Sequence, residues 1–201
     1  MIFRANVKRK EPGGVAFVDR DGTLIEDNGY LSDPSRIFPI GDAVSSLQNL
    51  KKSGFAIFLI SNQAGLAKGK IKLKEFNQVK RQFDALFDAK MTIFDGIFYC
   101  PHHVDGIVRE LKRSCSCRKP GTLMVETAMN FLRKPPSLNR IYSVGDKTID
   151  IMMGKSMGYQ TILVETGYGK GDKDKITDPL MLPDYIARNF DEAVRIMAEK
   201  L

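Results

Sequence analysis

Val15-Ala16-Phe17-Val18-Asp19-Arg20-Asp21-Gly22-Thr23 joins four apolar residues to two carboxylates and a glycine. A short apolar run bounded by a turn signal reads as a strand buried on both faces. Side chains alternate along an extended segment, so Asp19 and Asp21 are expected to face one way and Arg20 the other. Two carboxylates on one side repel each other. A divalent cation relieves that repulsion, and Gly22 lets the backbone turn tightly around it.

Outward from this segment, apolar runs alternate with longer amphipathic stretches. Strands are predicted at 15–18, 55–60, 93–99, 141–144 and 161–164, with a short edge strand at 185–188. Helices are predicted at 44–52, 73–87, 122–132, 149–157 and 192–201. Phe76, Val79, Phe83 and Phe87 give the second helix an apolar stripe at three- and four-residue spacing. Strand–helix alternation predicts an α/β fold: a Rossmann-like three-layer sandwich with a central parallel sheet and helices on both faces. Ligands bind beyond the carboxyl ends of such strands, so the polar residues following each strand are the candidate site.

The chain has 201 residues, 43% hydrophobic and 27% charged, which fits one domain with a full core. Residues 1–14 read as a loosely ordered basic extension, and 15–201 as a single domain. The run Phe55–Ile60 is too short to cross a bilayer, and the N-terminal segment lacks the apolar stretch of a secretory signal. A cytoplasmic location and no membrane partner are expected. The net charge of +7 favours anionic ligands. No aromatic–basic array accompanies it, so a solvated basic surface is expected and not a nucleic-acid site.

After the second strand comes Ser61-Asn62-Gln63-Ala64-Gly65, whose hydroxyl and backbone N–H groups could cradle phosphate oxygens. After the third, Arg118-Lys119-Pro120-Gly121 places two cations before a helix. After the fourth, Gly145-Asp146-Lys147-Thr148-Ile149-Asp150 adds a further carboxylate. Each alone reads equally well as a turn or a helix cap. Their joint order is far more specific, because a parallel sheet brings successive strand ends together.

Cys100-Pro101-His102-His103 and Cys115-Ser116-Cys117 contain every cysteine and histidine of the chain. Three cysteines leave one unpaired in any disulfide scheme. Two closely spaced groups of thiolate and imidazole suit a tetrahedral Zn²⁺ site, with either His102 or His103 as the fourth ligand. Four protein ligands leave no open position, so such a zinc is structural.

The order and wording of these segments, from about Val15 to Gly167, resemble the haloacid dehalogenase phosphatase superfamily. The resemblance implies that Asp19 is a nucleophile forming an aspartyl-phosphate and Asp21 the general acid and base. It implies Mg²⁺ on Asp19, Asp21 (through its carbonyl) and Asp146, with Ser61 and Lys119 on the transferring phosphoryl group. Asp150 is expected to support the metal site, cap its helix or orient Lys147. The zinc loop, 100–117, is similar to a subgroup holding heptose bisphosphate phosphatases and histidinol-phosphate phosphatases. That pattern favours His102, giving Cys100, His102, Cys115 and Cys117. The twelve-residue spacer between His102 and Cys115 is closer to the heptose branch. There Asp27, Asn28, Gly29, Tyr30, Ser61, Asn62, Gln63, Ala64, Arg118, Lys119 and Lys147 would contact the sugar phosphate. Ser61 stands for a more usual threonine and Ala64 for a serine. No large cap insertion is visible, and a monomer is expected. Removal of the C7 phosphate of a heptose 1,7-bisphosphate is therefore the leading expectation. The alternatives are histidinol-phosphate hydrolysis and, in another class, nucleic-acid end processing or binding.

Overall fold

Eight successive residues, Phe55–Asn62, form the strand (β3) around which the sheet is built, and all but the last are buried. The computed structural model describes residues 1–5, 11–174, 176 and 178–199. Its sheet has seven strands, in the order β1 (Ile2–Ala5), β4 (Gly96–Cys100), β3, β2 (Gly14–Val18), β5 (Ile141–Gly145), β6 (Gln160–Val164) and β7 (Tyr185–Ala187). All neighbours are parallel except β1, which runs antiparallel to β4. The order reverses between β2 and β5, and the crevice beyond their carboxyl ends is where a parallel sheet binds ligands.

Period-two alternation divides the sheet between two cores. Val18, Ile57, Leu59 and Val144 face α1 (Ala43–Lys52), α3 (Leu73–Phe87) and α7 (Phe190–Glu199). Val15, Phe17, Phe58 and Phe98 face α4 (Leu123–Met129) and α5 (Thr148–Ser156) through Met124, Val125 and Met153. Two shorter helices, α2 (Ala64–Ala67) and α6 (Gly169–Lys173), follow β3 and β6. The result is the expected three-layer sandwich. Among the described residues no helix is long and apolar enough to cross a membrane.

Residues 2–5, expected as part of a loosely ordered extension, instead form the edge strand β1, with Ile2 opposite Tyr99. Phe3 stacks on Phe98 at 5.6 Å between ring centroids, which anchors the short strand by aromatic contact. Strand β4 starts at Gly96, later than the expected Ile93, because Asp95 turns its carboxylate back to accept the N–H of Ile57 at 2.9 Å. The helix expected over 122–132 stops at Met129. The predicted end of the last helix, 200–201, lies outside the described residues.

Candidate active site

The ladder carries Asp19 one step past β2, where its N–H donates to the carbonyl of Val144 at 2.9 Å. The chain then turns, and the N–H groups of Leu24 and Ile25 both donate to the Arg20 carbonyl. Gly22 takes φ +81 in this turn, and a Cβ there would lie 2.1 Å from Asp146 Oδ2. Only glycine lets the loop after β2 close over the carboxylate after β5. Gly22→Ala is expected to displace Asp146 and lower turnover about 100-fold or more, since misplacement by 1 Å is enough for such a loss. Steady-state rates read against a melting curve check this.

Asp19, Asp146 and Asp150 each place a carboxylate oxygen within 4.8 Å of the others, and all three are buried. Asp146 Oδ2 accepts the N–H of Tyr168 at 2.9 Å, while its Oδ1 is buried with no partner. Burial, then the charge of Asp19, pushes the Asp146 carboxyl up to about 8. Burial likewise raises Asp150, to about 6, against the pull of Lys119. A crowded carboxylate group with an orphaned buried oxygen is suited to a hard cation with oxygen ligands.

Lys119 is enclosed between these acids. Its Nζ lies 2.8 Å from Asp19 Oδ1 and 2.7 Å from Asp150 Oδ1, and donates to the Ile60 carbonyl at 2.8 Å. Burial opposes its charge, but Asp150 and Asp19 outweigh that and hold the ammonium above the ordinary lysine range. Asn62 grips the backbone of Lys119 both ways, donating to its carbonyl at 3.1 Å and accepting its N–H at 3.0 Å. Asp150 thus carries Lys119 directly, and it also accepts the N–H of Lys147 at 3.3 Å, as a helix cap does.

Across the cleft, Lys147 Nζ donates to Asp27 Oδ2 at 3.0 Å, lies 3.7 Å from Asp146 Oδ2, and sits over the Tyr168 ring at 4.5 Å. Gln63 Nε2 donates to Asp21 Oδ2 at 2.8 Å and to Ser61 Oγ at 2.9 Å. The cleft so formed encloses about 110 Å³ and is lined by Asp19, Asp21, Asp27, Gly29, Tyr30, Asn62, Gln63, Ala64, Lys119 and Lys147, with Gly65, Ile71 and Ile149 completing the wall.

Three residues expected at the substrate do not line this cleft. Ser61 is buried beneath Gln63, Asn28 donates to the Arg36 carbonyl, and Arg118 donates to the His102 carbonyl at 3.4 Å. Asp19 and Asp21 line the cleft and Arg20 does not, as alternation predicts, but the Arg20 guanidinium folds back onto Asp21 at 2.9 Å. The loop after β6 was not singled out from sequence, although its glycines follow a strand end. Thr166 Oγ donates to the Gly22 carbonyl at 2.6 Å, and a Cβ on Gly167 would meet Asp146 Oδ2 at 2.3 Å.

Behind the site, the sulfurs of Cys100, Cys115 and Cys117 and the ring Nδ1 of His102 form one cluster. Cys117 Sγ is 3.2 Å from Cys100 Sγ, 3.4 Å from Cys115 Sγ and 3.4 Å from His102 Nδ1, while Cys100 Sγ is 3.9 Å from His102 Nδ1. A tetrahedron with ~2.3 Å Zn–S bonds has edges of roughly 3.5–3.8 Å, so the cluster is compatible with zinc. The His103 ring instead accepts the N–H of Asp105 at 3.1 Å, outside the cluster. Burial raises the Cys100 and Cys117 thiols, a cost that a bound cation would offset.

Comparison with known proteins shows the family and the fold. The HAD-hydrolase-like family model matches residues 116–193. The chain is 36% identical over 152 residues to the D-glycero-beta-D-manno-heptose-1,7-bisphosphate 7-phosphatase of Escherichia coli K12, covering 75% of this chain and 78% of that protein. It is 34% identical over 188 residues to the D-glycero-D-manno-heptose-1,7-bisphosphate 7-phosphatase of Chlorobaculum tepidum, covering 92% and 94%. The crystal structure of D,D-heptose 1,7-bisphosphate phosphatase from B. bronchiseptica, complexed with magnesium and phosphate, shares the fold. It superposes with a TM-score of 0.77 at 21% identity, covering 94% of this chain and 99% of that one. With relatives of this similarity spanning most of its length, the chain belongs to the haloacid dehalogenase-like hydrolases and is a phosphatase of that family.

Proposed function

We propose that the protein removes the C7 phosphate of D-glycero-D-manno-heptose 1,7-bisphosphate through a phosphorylated Asp19. The observation that carries this reading is the convergence of Asp19, Asp146 and Lys119 at adjacent strand ends. The names of relatives 34% and 36% identical to it support the substrate. In this reading Asp19 attacks phosphorus, because it lines the cleft with Lys119 holding one of its oxygens. Lys119 then balances charge on the phosphoryl oxygens, and preorganised by Asp150, Asn62 and the Ile60 carbonyl it needs no reorientation during the reaction. Asp21 moves the proton, first to the leaving oxygen and later from water.

Asp19, Asp146 and the carbonyl of Asp21 would hold Mg²⁺, which neutralises charge on nucleophile and phosphoryl group when bound. Cys100, His102, Cys115 and Cys117 would hold a structural zinc under Lys119. Ser61 supports Gln63, while Asp27, Gly29, Tyr30, Ala64 and Lys147 form the sugar-facing wall, with Asn28 and Arg118 at its margin. The enzyme is read as a cytoplasmic monomer, a setting whose reducing poise suits a thiolate zinc site.

Turnover of both heptose bisphosphate anomers, histidinol phosphate and a 3′-phosphorylated oligonucleotide tests the substrate. One heptose anomer is expected to exceed histidinol phosphate and the oligonucleotide by about 100-fold or more in kcat/KM, a difference of roughly 2.7 kcal/mol. Phosphorus NMR of the product should retain the C1 phosphate. Preference for histidinol phosphate, or loss of the C1 phosphate, contradicts the reading.

Asp146 also makes a pH prediction. Its folded value of about 8 lies above the ordinary 3.8, so its contribution to stability is fully present below about 4 and is lost as pH rises through 8. Without Mg²⁺, stability should therefore fall between pH 6 and 8. Mg²⁺ takes the ionised form, so its stabilising effect should be larger at pH 8 than at pH 6. Melting curves with zinc retained and Mg²⁺ varied check both signs.

A further inference from the structure

Among the described residues Arg20 is the largest of the fully buried side chains, and its burial needs a reason. Removing a guanidinium from water for one carboxylate partner is seldom favourable to stability, and an apolar side chain of similar volume serves a core better. The grip on Asp21 is a fork: Nε donates to Oδ1 at 3.0 Å, and Nη2 to Oδ1 at 2.9 Å and to Oδ2 at 3.0 Å. On the far side Nη1 has no partner, although the group lies over the Tyr99 ring at 5.8 Å. Tyr99 is itself buried, and its hydroxyl interacts with the guanidinium without reaching good hydrogen-bond geometry. The well-formed hydrogen bonds of the guanidinium are thus the ones aimed at the Asp21 carboxylate. Two parallel N–H···O bonds fix the plane of a carboxylate, which a single point charge does not. Gln63 Nε2 holds Oδ2 from the side at 2.8 Å, leaving 16% of the Asp21 side chain exposed toward the cleft.

We infer that Arg20 is a positioning residue for proton transfer, its fork setting the orientation from which Asp21 serves the leaving group and then water. This rests on Asp21 being the acid and base. In the first step an Asp19 oxygen bonds to phosphorus, the P–O bond to the sugar breaks, and Asp21 gives its proton to the departing oxygen. In the second, a water oxygen bonds to phosphorus, its proton passes to Asp21, and the bond from phosphorus to Asp19 breaks, releasing inorganic phosphate. A misoriented Asp21 fails only where a proton must move.

Leaving-group chemistry separates this role from mere support. Nitrophenolate departs from p-nitrophenyl phosphate without a proton, so its release in a single-turnover burst needs Asp19 and Lys119 but not Asp21. Arg20→Met is expected to lower kcat on heptose 1,7-bisphosphate about 100-fold or more, the scale of general acid–base catalysis, with KM changed less than about threefold. The nitrophenolate burst should slow at most about threefold, which also reports a folded site. Arg20→Lys keeps the charge but not the fork and should behave as Arg20→Met does. Equal loss on both substrates, no loss on either, or full rescue by lysine overturns the inference. Asp21→Asn run in parallel should show the same split between substrates. If it turns over heptose bisphosphate normally, the assignment of Asp21 fails instead, and that outcome is distinct from a failure of Arg20.

Discussion

Asp19→Asn is expected to lower turnover by at least about 10⁴-fold, because removing a covalent nucleophile leaves only binding and the surrounding electrostatics. The substitution keeps the size of the side chain and relieves one charge in the group formed with Asp146 and Asp150. Lys119 loses the charge of its partner at 2.8 Å but can still donate to the amide oxygen, and it keeps Asp150 and the Ile60 carbonyl, so it is not stranded. The melting temperature should therefore change by only a few degrees. Activity within tenfold of wild type, measured on folded protein, would assign the nucleophile elsewhere.

Cys117→Ser is expected to have the largest effect on stability. Cys117 is buried at the centre of the cluster, with sulfur contacts to Cys100 and Cys115 and to the ring of His102. Structural zinc typically supplies about 10–16 kcal/mol of apparent binding energy, and losing one of four ligands removes several of these. For a domain of this size that lowers the melting temperature by roughly 10 °C or more. Lys119 follows two residues later, so kcat should fall at least about tenfold while Asp19 is untouched. Elemental analysis should find zinc near one per chain in the wild type and far less in the variant. Equal zinc and equal melting would remove these ligands from the account.

The centre of the fold was legible because β3 and β2 are buried on both faces and carry near-continuous apolar runs. The order of polar residues after β2, β3, β4 and β5 then located the cleft without any contact information. Strand β1 was not legible: four residues carry little periodicity, and the rings that receive Phe3, those of Phe98 and Phe131, lie far along the chain. Asp150 was ambiguous because sequence gives its distance to Lys147 but not to Lys119, which arrives from another strand end. Arg118 and Lys119 are adjacent in sequence yet diverge, one bonding the His102 carbonyl and the other enclosed by Asp19 and Asp150. Alternation was enough to put Asp19 and Asp21 on the cleft and Arg20 off it, but not to show that the long Arg20 side chain curls back to Asp21 where the ladder ends.

The chemistry assigned to Asp19 is tested most directly by trapping it. With Asp21→Asn and p-nitrophenyl phosphate, transfer to the protein proceeds and hydrolysis stalls, so acid quenching should catch phosphate on the enzyme. Peptide mapping is predicted to find it on Asp19, sensitive to hydroxylamine as an acyl phosphate is. Phosphate on any other side chain, or a full burst of nitrophenolate with none bound to the protein, would contradict the mechanism.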